Sequence, residues 1–204
     1  MDPERPDAEL LVRAYARGIF PMADPRTGKI AYYSPDPRAI FPLDAFHVPK
    51  SVARVARSGV FELRSDTAFA EVIARCAEAR PGRRETWLSP RLVRAYLDLH
   101  RRGFAHSVEA WRDGRLVGGL YGVHIGAAFF GESMFSRPEQ GGRDSSKVCL
   151  AALVEWLRKG GFRLLDTQFS TPHLARFGCV EVARDEYLEL LENALVGRGR
   201  WPKT

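Results

Sequence analysis

Little in this chain could staple it, anchor it or hold a metal. Three cysteines, Cys76, Cys149 and Cys179, are all that 204 residues contain. They are odd in number and widely scattered, with no Cys-x-x-Cys pair and no Cys/His grid. That pattern points to a reducing compartment and excludes disulfides and structural zinc. No apolar run approaches the ~20 residues of a bilayer span, so no membrane partner is expected. The opening MDPERPDAE is acidic where a secretory leader would be cationic and then apolar, so a cytoplasmic location is expected. No internal repeat is found. Hydrophobic residues at 45% and charged residues at 27% are ordinary for a globular chain, which excludes disorder and fibrous structure. At ~150 residues per domain, the length allows one full domain and a small appendage. Thirty-one Lys and Arg against 25 Asp and Glu leave a net charge of +6. This excess invites an anionic partner without identifying one.

What is present has a readable order. Asp7 is placed to cap a helix carrying Leu10, Leu11, Ala14 and Tyr15, with Gly18 as its stop. Residues 19–46 are aromatic and punctuated by proline, and read as short strands and turns. The predicted division is therefore a small lobe over 1–45 and a larger domain over 46–204. In the larger domain, Lys50–Ser58 reads as a helix with Lys50, Arg54 and Arg57 on one face and Val52, Val55 and Ala56 opposite. A strand at 61–64 precedes a helix that Asp66 would cap. Ser89–Pro90 starts another helix. A β-meander follows, turning at Asp113–Gly114 and again near Gly126. A helix over 147–159 and a strand over 163–168 then form a crossover, so the meander's last strand and the new strand should run parallel. Short helices at 172–177 and 185–195 complete an α+β fold with a mixed sheet.

Two segments look wrong for pure structure. In FFGESMFSR (129–137), alternation puts Phe130, Glu132 and Met134 on one strand face, and a carboxylate between apolar neighbours is costly unless paired or exposed. In LLDTQF (164–169), Asp166 and Gln168 share a face near the C-terminal end of a crossover strand, where polar side chains tend to meet ligands. One helix joins the two strands, so Glu132, Asp166 and Gln168 can converge on one cleft. A buried Asp capping a loop and a Glu in an ion pair would be the purely structural alternative. His106, His124 and His173 could serve as bases, though a lone histidine is more often a hydrogen-bonded structural residue.

Several blocks taken in order carry a resemblance: AYARGIFPM (14–22), YYSPDPRAIFPL (32–43), FHVPKS (46–51), TWLSP (86–90), LVGGLYGV (116–123), FFGESMFSR, LLDTQF and TPHLARFG (171–178). The chain resembles the leucyl/phenylalanyl-tRNA–protein transferases from about Leu10 to Leu195. It departs from many of them in lacking an opening glycine-rich segment. It also carries Tyr32–Tyr33 where a Trp pair is frequent, and its 138–146 loop is longer. The resemblance implies an acetyltransferase-like (GNAT) fold for 46–204. The loop RPEQGGRDSSK, however, lacks the glycine spacing that would hold the pyrophosphate of coenzyme A. An acyl-CoA-dependent N-acyltransferase and a non-catalytic tRNA-binding module are the competing readings.

The implied activity moves Leu, Phe and less readily Met from aminoacyl-tRNA to acceptor proteins with an N-terminal Lys or Arg, marking them for degradation. The ester is already activated, so no ATP, metal or other cofactor is expected, and the chain is expected to be a monomer. By matching to the family, Leu120, Phe129, Met134, Leu153 and Leu165 would form the aminoacyl pocket. Tyr15, Met22, Trp87 and Tyr96 would seat the terminal adenosine. Lys50, Arg54 and Arg57, with a second cluster at Arg80, Arg83 and Arg84, would meet tRNA phosphates. Asp166, Gln168 and Glu132 would act on the incoming amine. Asp166 either polarises Gln168 or joins it in orienting substrates, while Glu132 holds the acceptor's positive charge.

Overall fold

The computed structural model describes residues 6–79 and 85–202. The first helix, α1 (Ala8–Tyr15), starts where Asp7 accepts a hydrogen bond from the Leu10 amide at 2.7 Å, and it buries Leu11, Ala14 and Tyr15. Gly18 follows in the left-handed region at φ +71°. Strands β1 (Phe20–Ala23) and β2 (Ile30–Tyr33) form a two-stranded antiparallel ribbon with Met22 opposite Ala31. Next come β3 (Arg38–Phe41), α2 (Lys50–Arg57), β4 (Glu62–Ser65), α3 (Phe69–Ala77) and α4 (Pro90–Arg101). The meander is β5 (Ala105–Arg112), β6 (Arg115–Ile125) and β7 (Ala128–Ser136). Helix α5 (Ser145–Lys159) crosses to β8 (Leu164–Gln168), and α6 (Pro172–Ala175), β9 (Val180–Val182) and α7 (Arg184–Leu195) finish the chain.

Seven strands join one mixed sheet in the order β4-β5-β6-β7-β8-β3-β9. Only the β7/β8 pair in it is parallel, as a helical crossover requires. The α+β mixed sheet predicted from the meander and crossover is therefore present. One sheet face is covered by α1, α3, α4 and α7 through residues such as Leu11, Val72, Leu92 and Leu191. The other is covered by α2 and α5 through Val52, Leu150, Leu153 and Leu157. At the first meander turn, Asp113 (φ +50°) and Gly114 (φ +71°) form the two-residue loop with both residues left-handed that suits a twisted hairpin.

Four features depart from the local reading. Strand β3 lies in the sequence region assigned to the small lobe, yet it pairs with β8 and β9 in the large sheet. β9 itself has too few residues to show an alternation. Asp66 does not cap α3. Its carboxylate accepts from the Ser107 amide (2.8 Å) and contacts His106 Nδ1 (2.7 Å), while buried Glu109 accepts from the Ala68 amide (2.8 Å) at the start of α3. Ala56 of α2 is exposed, whereas Val52 and Val55 pack inward as expected.

The fourth departure shapes everything that follows. Gly122 of β6 pairs with Gly131 of β7, and Tyr121 pairs with Ser133, so Glu132 is an extra residue with no partner across the ladder. A one-residue bulge reverses the side-chain phase beyond it. Phe130 and Phe135 consequently pack on the α1/α4 side, and Phe129 and Met134 on the α5 side. Glu132 and Met134 do not share a face as strict alternation predicts.

Gly18 is required twice over. Its φ is positive, and a Cβ there would lie 2.8 Å from the Tyr187 ring. Gly18→Ala is expected to lower stability by roughly 1–3 kcal/mol in urea unfolding followed by far-UV circular dichroism.

Candidate active site

The parallel ladder between β7 and β8 runs from Ala128 opposite Leu164 to Phe130 opposite Asp166 and stops there. Beyond that point lies a cavity of about 360 Å3. Its inner wall is apolar: Phe41, Leu120, Met134, Leu150, Leu153 and Leu165. Met22 and Trp87 also line it, supplied by β1 and the loop before α4, which are tied by the Ala23 amide donating to Trp87 O at 3.0 Å. Glu132, from the middle of β7, and Gln168, the last residue of β8, reach the same space. A ligand seated at the C-terminal ends of parallel strands is a recurrent arrangement in sheets with helical crossovers.

Gln168 is 7% exposed, and its Nε2 is buried with no hydrogen-bond partner. Asp166 is wholly buried and does not line the cavity. Arg38 grips it as a fork, Nε to Oδ1 at 3.0 Å and Nη2 to Oδ2 at 2.6 Å. Tyr187 Oη donates to Oδ2 at 2.8 Å, and the Gln168 backbone amide donates to Oδ1 at 2.8 Å. The acid therefore touches the main chain of Gln168 and stays behind the cavity wall, a correction to the picture of three polar side chains opening into one cleft.

Glu132 occupies the bulge. Tyr15 Oη donates to its Oε1 at 2.7 Å and Tyr96 Oη to its Oε2 at 3.0 Å, while the two phenol oxygens lie 2.6 Å apart. Burial pushes the Glu132 carboxyl up and the two phenols pull it back down. The nearby Asp166 charge raises it again and Arg38 lowers it, and the net position is about 7. Burial, followed by the Glu132 charge, pushes both phenols well above their ordinary range, so they stay protonated donors.

The structure sorts the remaining candidates. Leu120, Met134, Leu153 and Leu165 line the cavity, but Phe129 does not. It is fully buried behind them, stacked on Trp201 with centroids 5.2 Å apart. Met22 and Trp87 reach the cavity, whereas Tyr15 and Tyr96 are fully buried and offer no face for a base. Their helical spacing could not separate packing from stacking. Lys50, Arg54 and Arg57 are exposed together on α2. Arg80, Arg83 and Arg84 lie outside the described residues. His106 stacks on Trp201 and His124 contacts Gly126 O, both away from the cavity, but His173 is part of the cavity wall. Burial, helped by the Lys147 charge, holds His173 below its ordinary value. Phe41, Leu150, Leu174, Arg38 and Tyr187 escaped the sequence reading. Arg38 alone left a signal, a cation leading the otherwise apolar run AIF. Among the described residues, no group of three His, Cys, Asp or Glu could hold a metal, and no helix is long and apolar enough to cross a membrane.

Residues 40–192 match the family model described as leucyl/phenylalanyl-tRNA protein transferase, and residues 4–36 match the model of its N-terminal domain. The chain belongs to the leucyl/phenylalanyl-tRNA–protein transferase family. As a member it is an aminoacyltransferase. The leucyl/phenylalanyl-tRNA–protein transferase of Rhizorhabdus wittichii is 55% identical to it over 190 residues, spanning 93% of this chain and 75% of the relative. That of Rubrobacter xylanophilus is 56% identical over 188 residues, spanning 92% and 94%. Solved structures resemble the transferase more loosely. A ribosomal-protein-alanine N-acetyltransferase from Brucella melitensis matches at 16% identity and TM-score 0.40, covering 71% of this chain and 96% of its own. A GCN5-related N-acetyltransferase-like protein from Streptococcus suis matches at 14% and 0.43, covering 86% and 64%. Likeness at that level carries no argument about activity.

Because folding raises the Glu132 carboxyl from its ordinary 4.5 to about 7, the folded state holds its proton longer than the unfolded chain. That contribution to stability is complete below pH ~4.5 and is lost as pH rises through ~7. Glu132→Gln keeps the shape and removes the titration. Relative to wild type, the variant should gain on the order of 3 kcal/mol between pH 4.5 and pH 8, read from urea unfolding at the two values.

Proposed function

We propose that this transferase moves Leu or Phe, and Met less readily, from aminoacyl-tRNA to the N-terminal amine of proteins beginning with Lys or Arg, and that the added residue marks them for degradation. The observation that carries this reading is one cavity lined both by apolar side chains and by Glu132 and Gln168. The donor side chain lies against Leu120, Met134, Leu153 and Leu165, joined by Phe41 and Leu150. Such a slot discriminates by only ~1–3 kcal/mol per methylene, so it ranks Leu, Phe and Met without strict exclusion. A charged donor would be buried without a partner and is rejected.

The terminal adenosine lies against Met22 and Trp87, where an aromatic face is worth ~1–3 kcal/mol to a stacked base. Phosphates meet Lys50, Arg54 and Arg57. Glu132, when ionised, holds the positive side chain of the acceptor. Gln168 aims the neutral amine at the ester carbonyl. An amide is too weak a base to take the proton itself, so its contribution is orientation, and Asp166 contributes by placing it. A carbon–nitrogen bond forms, the bond to the ribose oxygen breaks, and the proton lost by the amine is balanced by the one the departing ribose oxygen gains.

Radiolabelled Leu-tRNA or Phe-tRNA incubated with a protein bearing N-terminal Arg should label that protein. Absence of label beside an active reference transferase would overturn the reading. Met134→Asp should lower transfer of Leu and Phe by about ten-fold or more, because it places a charge in the apolar wall. Replacing Lys50, Arg54 and Arg57 with Ala should weaken tRNA binding. It should also make the dependence of log affinity on log salt shallower by roughly 2–3.

A further inference from the structure

We propose that Arg38 and Tyr187 are positioning residues for the transfer, acting through Asp166 on the backbone of Gln168. This rests on the reading that Gln168 orients the attacking amine.

The two oxygens of Asp166 receive four donors: Arg38 Nε and the Gln168 amide on Oδ1, Arg38 Nη2 and Tyr187 Oη on Oδ2. Four is about the full acceptor capacity of a carboxylate. With no exposure to the cavity and no lone pair left over, Asp166 is not placed to take a proton from a substrate amine. What remains for it is its grip on the Gln168 main chain.

That main chain needs a grip. Gln168 has φ +61°, a conformation that residues with a side chain seldom adopt. The Phe169 amide donates to Thr167 O at 2.7 Å, closing a three-residue turn of γ type around Gln168. Such turns with positive φ at the centre are rare and strained, and persist where their surroundings hold them. Here the Asp166 carboxylate captures the Gln168 amide, and the turn ends β8 with the Gln168 side chain on the cavity wall. The strand next door adds to the hold, since Ala39, the residue after Arg38, pairs with Gln168.

Arg38 is in turn fixed on every side. It is wholly buried, its Nη1 donates to Gly18 O at 2.8 Å, and its guanidinium lies 4.5 Å from the Tyr187 ring centroid and 4.9 Å from that of Phe20. The clamp therefore joins the turn after α1 to β3, β8 and α7 at one point, directly behind the residue that must aim the amine. Loosening it lets the turn relax and the amide swing.

Steady-state transfer from Phe-tRNA to a peptide with N-terminal Arg tests this in full-length Tyr187→Phe, which loses one hydrogen bond and keeps the ring, and in Arg38→Lys, which keeps the charge and loses the fork. Tyr187→Phe should lower kcat roughly ten-fold, with KM for Phe-tRNA within about two-fold of wild type, and Arg38→Lys should lower it further. In a Gln168→Ala background, Tyr187→Phe should have no additional effect on kcat, because its route to the reaction has been removed. If Tyr187→Phe and Arg38→Lys lower Tm while kcat stays at the wild-type value, the clamp serves folding alone and the proposal fails. It also fails if Tyr187→Phe lowers kcat by the same factor with and without Gln168. Wild-type protein that does not label an N-terminal Arg overturns the assigned function itself, a separate and distinguishable result.

Discussion

A buried ion pair between Arg38 and Asp166 organises this molecule. Charges removed from water are costly unless their geometry is good and their remaining polar atoms are satisfied. Both conditions hold here: the pair is a fork, Tyr187 and the Gln168 amide complete the carboxylate, and Gly18 O takes a third guanidinium donor. Its partners come from the turn after the first helix, the last helix and two adjacent strands. The pair thus closes the chain on itself at the point where the sheet stops being regular. Gly18 has no side chain because Tyr187 occupies that space.

The second constraint is the parting of β7 and β8. Two parallel strands that cease to pair must either close on another element or leave room, and here they leave a cavity. Each strand carries an irregularity beside that gap. Glu132 is the unpaired residue of the β7 bulge, and the β3/β8 register shifts between Ala39 and Ile40. Bulges re-aim side chains. Glu132 turns toward the Tyr15–Tyr96 pair while Met134 goes to the apolar wall, so one strand furnishes both chemistries the proposed reaction requires.

The site is accordingly built from opposites held close together. A partly buried carboxyl poised near pH 7 needs donors, and two buried phenols supply them. A greasy wall needs to stay dry, and α5 closes it from behind with Leu150 and Leu153. In the proposed reaction Tyr15 and Tyr96 would act through Glu132, since both are fully buried and hydrogen-bonded to it.

The meander, the crossover, the helix caps at Asp7 and Ser89 and the Asp113–Gly114 turn were legible in the sequence, because each rests on interactions among residues a few positions apart. Family membership was legible too, from separate blocks in a fixed order. The residues of the cavity wall could be named from those blocks, but not which ones face it. Phe129 and Tyr15 have the right chemistry and are sealed away, while Phe41, Leu150 and Tyr187 carried no local signal and Arg38 only a faint one. Strict alternation put Glu132 and Met134 together, and a single bulge separated them. Sequence alone determines what each segment prefers over a few residues. Which side chains meet depends on register shifts and on pairings such as Arg38 with Asp166, 128 positions apart, and these are decided only when the whole sheet and the helices around it pack at once.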